Sequence, residues 1–573
     1  MSIIQYKKAD CRNCYKCIRQ CPVKAIAYKN DQVEIIDEDC ILCGNCLSVC
    51  PQNAKSIRRD IELVKASINK KEKVYVSLAP SFAAAFENVN ERLMTHALEK
   101  LGFIYVEETA LAAYHVSRQY EKLMSERKMK NIITTACPSI VYLVERYYPE
   151  LVDMLAPVIS PMVAHGKMLK EMYGPRIKVV FIGPCASKKQ EFKDINNAGV
   201  ISFVLTFQEL KEWMADEGIY LNGQFSEDIK KLKETSGRIY PLPGGILKTI
   251  DSKFKKNYKS ISIDGVDRCI KALDSIKNEG MENYFIEMNS CAGGCIGGPC
   301  MSEVKGGLIE ARTRLIDYIR KNSAKIGQPN ISEPKIDFSR KFSPRSHNNT
   351  VPSDEVIQEI LNSTGKFTPD KELNCGACGY STCRDKAIAV YNKKAQLYMC
   401  MPYMKERAES ISNLVISTAP QAIFALDSEL RIQELNNSAR ELFGLKSEIA
   451  EGRSIHEILK CPDIEKVMIS GTNINDSKYY YEEHGVTVEQ SIIYIPEQKT
   501  TILIIKDITK EEQRRKQMHQ LSTENVELAQ KVIDKQMRVA QEIASLLGET
   551  TAETKVALTK LKKSIVAEVG DAE

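Results

Sequence analysis

The rhythm of apolar and polar positions changes several times along this chain of 573 residues. From about residue 73, short apolar runs alternate with helical periods. "NIITTA" (131–136), "IKVVFIGP" (177–184) and "YFIEMNS" (284–290) read as buried strands. Such alternation predicts an α/β sheet. Residues 322–352, "NSAKIGQPNISEPKIDFSRKFSPRSHNNTVP", lose any period, are rich in Pro, Ser and Asn, and read as a linker or wrapping segment. From about 509 the chain is polar and helical. Met518, Leu521, Leu528, Val532, Val539 and Leu546 keep a spacing of three and four, interrupted by Asn525, Lys535 and Glu542. That fits a short coiled coil whose polar positions fix its register; a solvated lone helix is the alternative. No run approaches 18 apolar residues, and "MSIIQYKKADCRNC" has no apolar leader core, so a cytoplasmic protein is expected.

Length implies several domains, since one hydrophobic core seldom spans so many residues. With 80 basic against 75 acidic residues the net charge is only +5. Nothing in that balance favours nucleic acid or a membrane surface as partner. The 19 cysteines change the picture more. Many stand in C-x2-C spacing, which in a reducing compartment favours metal or iron–sulfur ligation over disulfides.

"CRNCYKCIRQCP" and "CILCGNCLSVCP" repeat one pattern, C-x2-C-x2-C-x3-C-P. This is the run of two-cluster bacterial ferredoxins, where the fourth cysteine of each run serves the other cluster. One 4Fe–4S cluster is therefore expected on Cys11, Cys14, Cys17 and Cys50, and a second on Cys40, Cys43, Cys46 and Cys21. Zinc, the alternative, usually closes with two C-x2-C pairs.

Each of the three strands above runs into a cysteine: Cys137, Cys185 and Cys291. Strand ends in open α/β sheets face the crevice where ligands bind. Cys295 follows Cys291 across "AGG", where glycines let backbone crowd a bulky ligand. Four thiolates suffice for a cubane; taken singly, Cys137 and Cys185 read more readily as buried hydrophobes, and the repeated placement after a strand is what weighs against that.

"TTACPSIVYLVERYYPEL", "GPCASKKQE" and "FIEMNSCAGGCIGG" resemble the three signature segments of the iron-only hydrogenase catalytic domain, with the likeness running over 73–320. The resemblance implies an H-cluster: a 4Fe–4S cubane on Cys137, Cys185, Cys291 and Cys295, with Cys295 bridging to a two-iron unit that carries CO, cyanide and a bridging dithiolate amine. Lys188 matches the family's donor to an iron-bound cyanide, a charged donor suiting an anionic ligand. Ala79, Pro80 and Ser81 match the loop packed against the other cyanide. The chain also departs from the family. Ala136 stands where catalytic members carry a proton-relay cysteine. Glu191 keeps the inner glutamate, but Val116 and Gln119 replace the outer carboxylates and Ala156 the serine. Gly183 and Asn289 replace methionines beside the two-iron unit. Acid–base relays contribute orders of magnitude to rate, so turnover is expected to be slow unless another relay, His115 being nearby, takes over. Cys269 and Cys300 fit no ligand role.

Further on, "LNCGACGYSTCRDKAIAVYNKKAQLYMC" offers Cys375, Cys378, Cys383 and Cys400, resembling the small 4Fe–4S domain of anaerobic redox proteins; four thiolates suit zinc as well. "STAPQAIFALDSELRIQELNNSARELFG" with "EQSIIYIPEQKTTILIIKDITKEE" resembles a PAS sensor domain, carried by Asp427, Asn436 and Asn437, with no haem or flavin determinant. His456 reads as a surface residue, and His519 lacks the surroundings of a phospho-accepting histidine.

The expected fold class is multidomain α/β and α+β. A two-cluster ferredoxin domain (1–60) precedes an H-cluster domain (73–321), a linker (322–352), a four-cysteine domain (353–407), a PAS domain (408–510) and a helical tail (511–573). The expected cofactors are three 4Fe–4S clusters outside the active site and the H-cluster. Expected partners are hydrogen and protons, a ferredoxin-like electron carrier, a separate kinase or phosphatase, and a second copy paired through PAS and coiled coil. A slow hydrogen-sensing hydrogenase is the reading that combines these parts. A ferredoxin-linked catalytic hydrogenase and a non-enzymatic iron–sulfur protein without the two-iron unit stand as alternatives. No G-x-G-x-x-G is present, which argues against direct NAD use.

Overall fold

The computed structural model describes residues 2–221, 236–256, 258–301, 304, 306–323, 333–345, 350–445, 450–547 and 552–570. They form two units, Met1–Tyr403 and Met404–Glu573.

The first unit opens with two small antiparallel pairs. Strand β1 (Ile4–Tyr6) pairs with β4 (Lys55–Ile57), and β2 (Ile26–Lys29) with β3 (Gln32–Ile35). The following α/β region holds two parallel sheets where the sequence suggested one. Strands β5 (Val74–Leu78), β6 (Tyr105–Glu108), β8 (Lys178–Gly183) and β9 (Phe203–Thr206) align as β6-β5-β8-β9; β7 (Asn131–Ile133), β10 (Lys259–Asp264) and β11 (Tyr284–Asn289) align as β10-β11-β7. All of these strands are parallel, so helices cover the faces and β5 is buried along its whole length. The cysteine-bearing strands β7 and β11 are direct neighbours, while β8 belongs to the other sheet. The chain after β5, β7, β8 and β11 nevertheless opens on one cavity.

Within the linker predicted over 322–352, residues 324–332 and 346–349 lie outside the described residues. Residues 333–345 are a wrapping segment. Ser339 bridges to Val158, and Phe338 and Arg340 are buried against the α/β region. The four-cysteine region packs helix Asp354–Asn362 on helix Cys383–Tyr391 through Ile357, Leu361 and Ala387. Gly379 (φ +98°) meets the ferredoxin region so closely that a Cβ there would stand 2.8 Å from Ile18 Cγ2.

The second unit is a five-stranded antiparallel sheet. Strands β12 (Ala422–Leu426), β13 (Ile432–Leu435), β14 (Ile474–Tyr481), β15 (Val486–Ile495) and β16 (Thr500–Asp507) lie in the order β13-β12-β16-β15-β14 over a core that includes Phe424, Ile464 and Leu503. Asn436 caps helix Asn437–Phe443 and donates to the carbonyls of Ile416 (3.0 Å) and Gln421 (2.8 Å). One side chain thus ties the incoming helix to the sheet. Asp507 caps the outgoing helix Thr509–Leu547, accepting from the Thr509 amide at 2.8 Å. Met518, Leu521, Leu528, Val532 and Val539 are exposed along it; the side chain of Leu546 lies outside the described residues. His456 sits at the surface beside Glu465.

Candidate functional site

The cavity at the strand ends has a volume of about 110 Å³ and is lined by Cys137, Cys185, Cys291 and Cys295. Each arrives by a different local device. Cys137 leaves β7 in an extended conformation (φ −97°, ψ 107°) and starts helix Pro138–Tyr147, where Pro138 occupies the first turn. Cys185 follows Gly183-Pro184 at the end of β8, just ahead of the short helix Lys188–Glu191. Cys291 ends the β11 run, and Cys295 sits on a 3₁₀ turn opened by Gly293 (φ +83°) and Gly294 (φ +75°). A Cβ on Gly294 would stand 2.4 Å from the Pro241 carbonyl, so only glycine lets this turn close. The Cys295 amide donates to that same carbonyl at 2.9 Å.

Cys295 is open to the cavity and Cys291 partly so, yet withdrawal from bulk water and the neighbouring thiolates push the Cys295 thiol up to about 12 and Cys291 well above its ordinary value. Such thiols are poor nucleophiles on their own; a metal core is what would deprotonate them. Two buried hydroxyls on the same wall, Ser81 and Ser290, have no hydrogen-bond partner. Four thiols, two unspent hydroxyls and one ammonium around one void fit a large anionic inorganic group, since buried polar groups normally find partners.

Lys188 lines the cavity and donates to the Ala136 carbonyl (3.2 Å) and to Glu191 Oε2 (2.7 Å). The other Glu191 oxygen accepts from Arg340 (3.3 Å), whose second nitrogen reaches Asp194 (3.0 Å). Ala79, Pro80 and Ser81 lie on the cavity wall; Val116 and Ala156 are buried in apolar core, and Gln119 is half-buried. His115 is buried without a partner for Nε2 and is not among the residues lining the cavity. Gly183 packs under the Phe181 ring: a Cβ there would stand 2.7 Å from Phe181 Cζ, so the ring fills space a larger residue would need. Asn289 donates to Glu287 at 3.2 Å. Glu287 is fully buried, and burial, opposed by amides of the Gly244–Leu247 turn, pushes its carboxyl up to about 7. Sequence reasoning missed Glu287, because a single acid inside an apolar run carries no pattern.

A second, smaller cavity is lined by Cys21, Cys40, Cys43 and Cys46. Cys43 borders the large cavity as well. That double role depends on Gly44 (φ +79°), where a Cβ would stand 2.2 Å from Pro299 Cγ. In the other set, Cys11 and Cys14 raise the Cys17 thiol behind the dominant effect of burial, and Lys55 lowers it. Lys55 also feels Cys50. A third cavity is lined by Cys375, Cys378, Cys383 and Cys400 together with Lys366 and Lys386, both buried. Lys366 donates to Cys400 Sγ at 3.3 Å, and Lys386 to the Leu397 carbonyl at 2.8 Å. Helix Met401–Thr418 begins one residue after Cys400. Cys269 and Cys300 are buried; Cys269 donates to the carbonyls of Ile263 and Asn289. Among the described residues no helix is long and apolar enough to cross a membrane.

Residues 72–299 match the family described as iron only hydrogenase large subunit, C-terminal domain. Residues 3–51 match a 4Fe-4S dicluster domain, 372–402 an Fe-S cluster family and 416–470 the PAS fold. The NADP-reducing hydrogenase subunit HndD of Solidesulfovibrio fructosivorans is 27% identical over 50% of this chain and 55% of its own. Iron hydrogenase 1 of Clostridium pasteurianum is 27% identical over 43% and 53%. The cytosolic Fe-S cluster assembly factor NAR1 of Encephalitozoon cuniculi is 26% identical over 40% and 67%. The chain thus spans about half the length of the first two. A solved FeFe-hydrogenase HydA1 variant from Chlamydomonas reinhardtii aligns at 15% identity, TM-score 0.40, over 51% of this chain and all of that one. The central region, residues 72–299, is thus a domain of the iron-only hydrogenase family, joined in one chain to a 4Fe-4S dicluster domain and a PAS domain.

Proposed function

We propose that this chain is a slow, hydrogen-responsive hydrogenase whose redox state is read out through the PAS domain and the helices flanking it. Cys137, Cys185, Cys291 and Cys295 would hold the H-cluster cubane, with Cys295 the bridge. Cys11, Cys14, Cys17 and Cys50 would hold one ferredoxin cluster, Cys21, Cys40, Cys43 and Cys46 the other. Cys375, Cys378, Cys383 and Cys400 would hold a fourth cluster. When bound, the two-iron unit supplies the metal at which hydrogen is cleaved or formed.

The chain's own residues do the rest. Lys188 offers a positive donor on the cavity wall, held in place by Glu191. Ser81 and Ser290 offer unspent hydroxyls. Cys43, shared by two cavities, shortens the electron path to the ferredoxin region. The observation that carries slow turnover is at position 136. Ala136 has no proton to give, and Glu191 is engaged by both Lys188 and Arg340 rather than presented to the cavity. Hydrogen would therefore set the charge of the cluster chain more readily than it would be turned over in bulk, which suits a detector. Cluster reduction would bias a PAS pair that a separate kinase or phosphatase reads.

The likeness to NAR1 favours a second reading, an iron–sulfur protein without hydrogen chemistry. Lys188 and Cys295, which in the family serve the two-iron unit, both line the cavity here and weigh against it. The experiment is hydrogen turnover of matured protein with excess electron donor or acceptor. Slow but measurable turnover, raised in part by Ala136→Cys, supports the detector; turnover equal to relay-intact members removes it.

A further inference from the structure

A continuous line of proton-carrying groups leaves the large cavity at Thr109. Thr109, at the end of β6, lines the cavity. Its hydroxyl is 2.8 Å from Ser77 Oγ on the neighbouring strand β5. Ser77 Oγ is 2.8 Å from His165 Nδ1, and His165 Nε2 is 3.2 Å from Glu107 Oε2. The other Glu107 oxygen accepts from Tyr105 at 3.2 Å. Tyr105 in turn hydrogen-bonds Tyr173, their rings 5.0 Å apart, and Tyr173 is 40% exposed.

The fold explains how the line spans the layer. Strand β6 runs from the half-buried Tyr105 to Glu108, with Thr109 following at the cavity, and β5 beside it places Ser77 one residue before its end, in register with Glu107. Helix Pro161–Tyr173 covers both strands, starting with Pro161 and Met162 on the cavity and ending at Tyr173 on the surface. At 1.5 Å per residue its 13 residues reach about 20 Å. Ser77 and His165 are 0% exposed and Glu107 2%. Apolar residues at these core positions would be the less costly choice, since a buried acid and imidazole stabilise only when fully paired.

We infer that Tyr173, Tyr105, Glu107, His165, Ser77 and Thr109 form a slower proton path of this protein, entering the cavity from the β5–β6 side in place of the route that Ala136 interrupts; these groups, most of them buried, must each hand on a proton and reorient, which keeps turnover slow. This rests on the functional reading above. For inward delivery, Glu107 starts with its proton on Oε2 and passes it to His165 Nε2, while its Oε1 takes a replacement from the Tyr105 hydroxyl, which draws one from Tyr173. The Nδ1 proton moves to Ser77, the Ser77 proton to Thr109, and the Thr109 proton enters the cavity. Each group gives one proton for the one it takes, so one proton is relocated and no bond order changes. The two electrons per hydrogen molecule travel separately through the clusters. Hydrogen oxidation runs the same steps outward, and the chain resets as its hydroxyls and imidazole reorient.

The test uses full-length matured protein as wild type, Ser77→Ala and Glu107→Gln. Hydrogen turnover, its H2O/D2O ratio and infrared bands of iron-bound CO and cyanide are recorded on the same samples. Each variant is expected to lower turnover at least about tenfold while the bands keep their intensity. Adding Ala136→Cys to Ser77→Ala is expected to restore part of the loss through the other route. Turnover and isotope ratio unchanged in both variants would overturn the path while leaving the hydrogenase reading intact. Turnover that falls only in proportion to band intensity would make the network structural and overturn the path likewise. Absence of the bands in wild type would instead bring down the functional reading, and this inference with it.

Discussion

Neutralising Lys366 should make the cluster proposed on Cys375, Cys378, Cys383 and Cys400 harder to reduce. Lys366 is buried with its Nζ 3.3 Å from Cys400 Sγ. At an effective dielectric of about 20, a full unit of added negative charge on that sulfur would interact with the ammonium by about 5 kcal/mol. One added electron is spread over the core and four thiolates. Roughly a quarter of the interaction, about 1.3 kcal/mol, then acts on the reduction step, a tenfold change or about 60 mV for one electron. Lys366→Met keeps the length of the side chain and removes the charge, so the potential should fall by about that amount. Lys366→Arg should leave it within about 20 mV. The assay is a redox titration followed by electron paramagnetic resonance on full-length protein, the signal being assigned by its loss in Cys375→Ala. A potential unmoved or raised in Lys366→Met would refute the reasoning. It would mean that the lysine serves only the turn it also holds through the Thr364 carbonyl and hydroxyl.

Cys295→Ser should remove the CO and cyanide bands and leave the ferredoxin clusters in place, because oxygen is a poorer ligand than thiolate for iron–sulfur cores; iron content and spectra of the same sample check it. Glu287 makes stability depend on pH. Burial pushes its native carboxyl up to about 7, against about 4.5 when unfolded. The native state therefore holds the extra proton between these values, and stability is greatest below about 4.5 and lost as pH rises to 7, by about 3 kcal/mol at most. Calorimetry from pH 5.5 to 8 should show this decline in wild type and not in Glu287→Gln; equal slopes would contradict it. Ending the chain after Arg407 should leave hydrogen chemistry unaltered and abolish pairing, since Met518, Leu521, Leu528 and Val532 lie exposed along one helix. Monomeric full-length protein at micromolar concentration in sedimentation would count against that.

Much of the candidate site was legible because its cysteines stand in regular spacings or at the ends of apolar runs that mark buried strands. Cys137, Cys185 and Cys291 each end such a run, and the structure brings them with Cys295 to one cavity. What stayed hidden depends on contacts distant in sequence. Nothing local says that β8 lies in a different sheet from β7 and β11, because strand pairing joins segments far apart in sequence. Gly44 reads as one more loop glycine until Pro299 lies against it. Residues 333–345 have a linker's composition, yet Arg340 pairs with Glu191 and Asp194. Ser77, Glu107 and His165 sit on three separate elements, and each alone is an ordinary polar residue in an amphipathic segment. Lys366 and Lys386 carry no motif; burial beside four cysteines is what sets them apart.

The central claim is that this cavity holds a hydrogen-reactive two-iron unit. Iron-bound CO and cyanide absorb in the infrared where protein does not, so the most direct measurement is an infrared spectrum of matured full-length protein under argon and then under hydrogen. The account predicts CO and cyanide bands under argon whose positions shift when hydrogen is admitted and return when it is removed. A spectrum with no such bands, from protein whose four-cysteine clusters are loaded, would contradict it and leave an iron–sulfur protein without hydrogen chemistry.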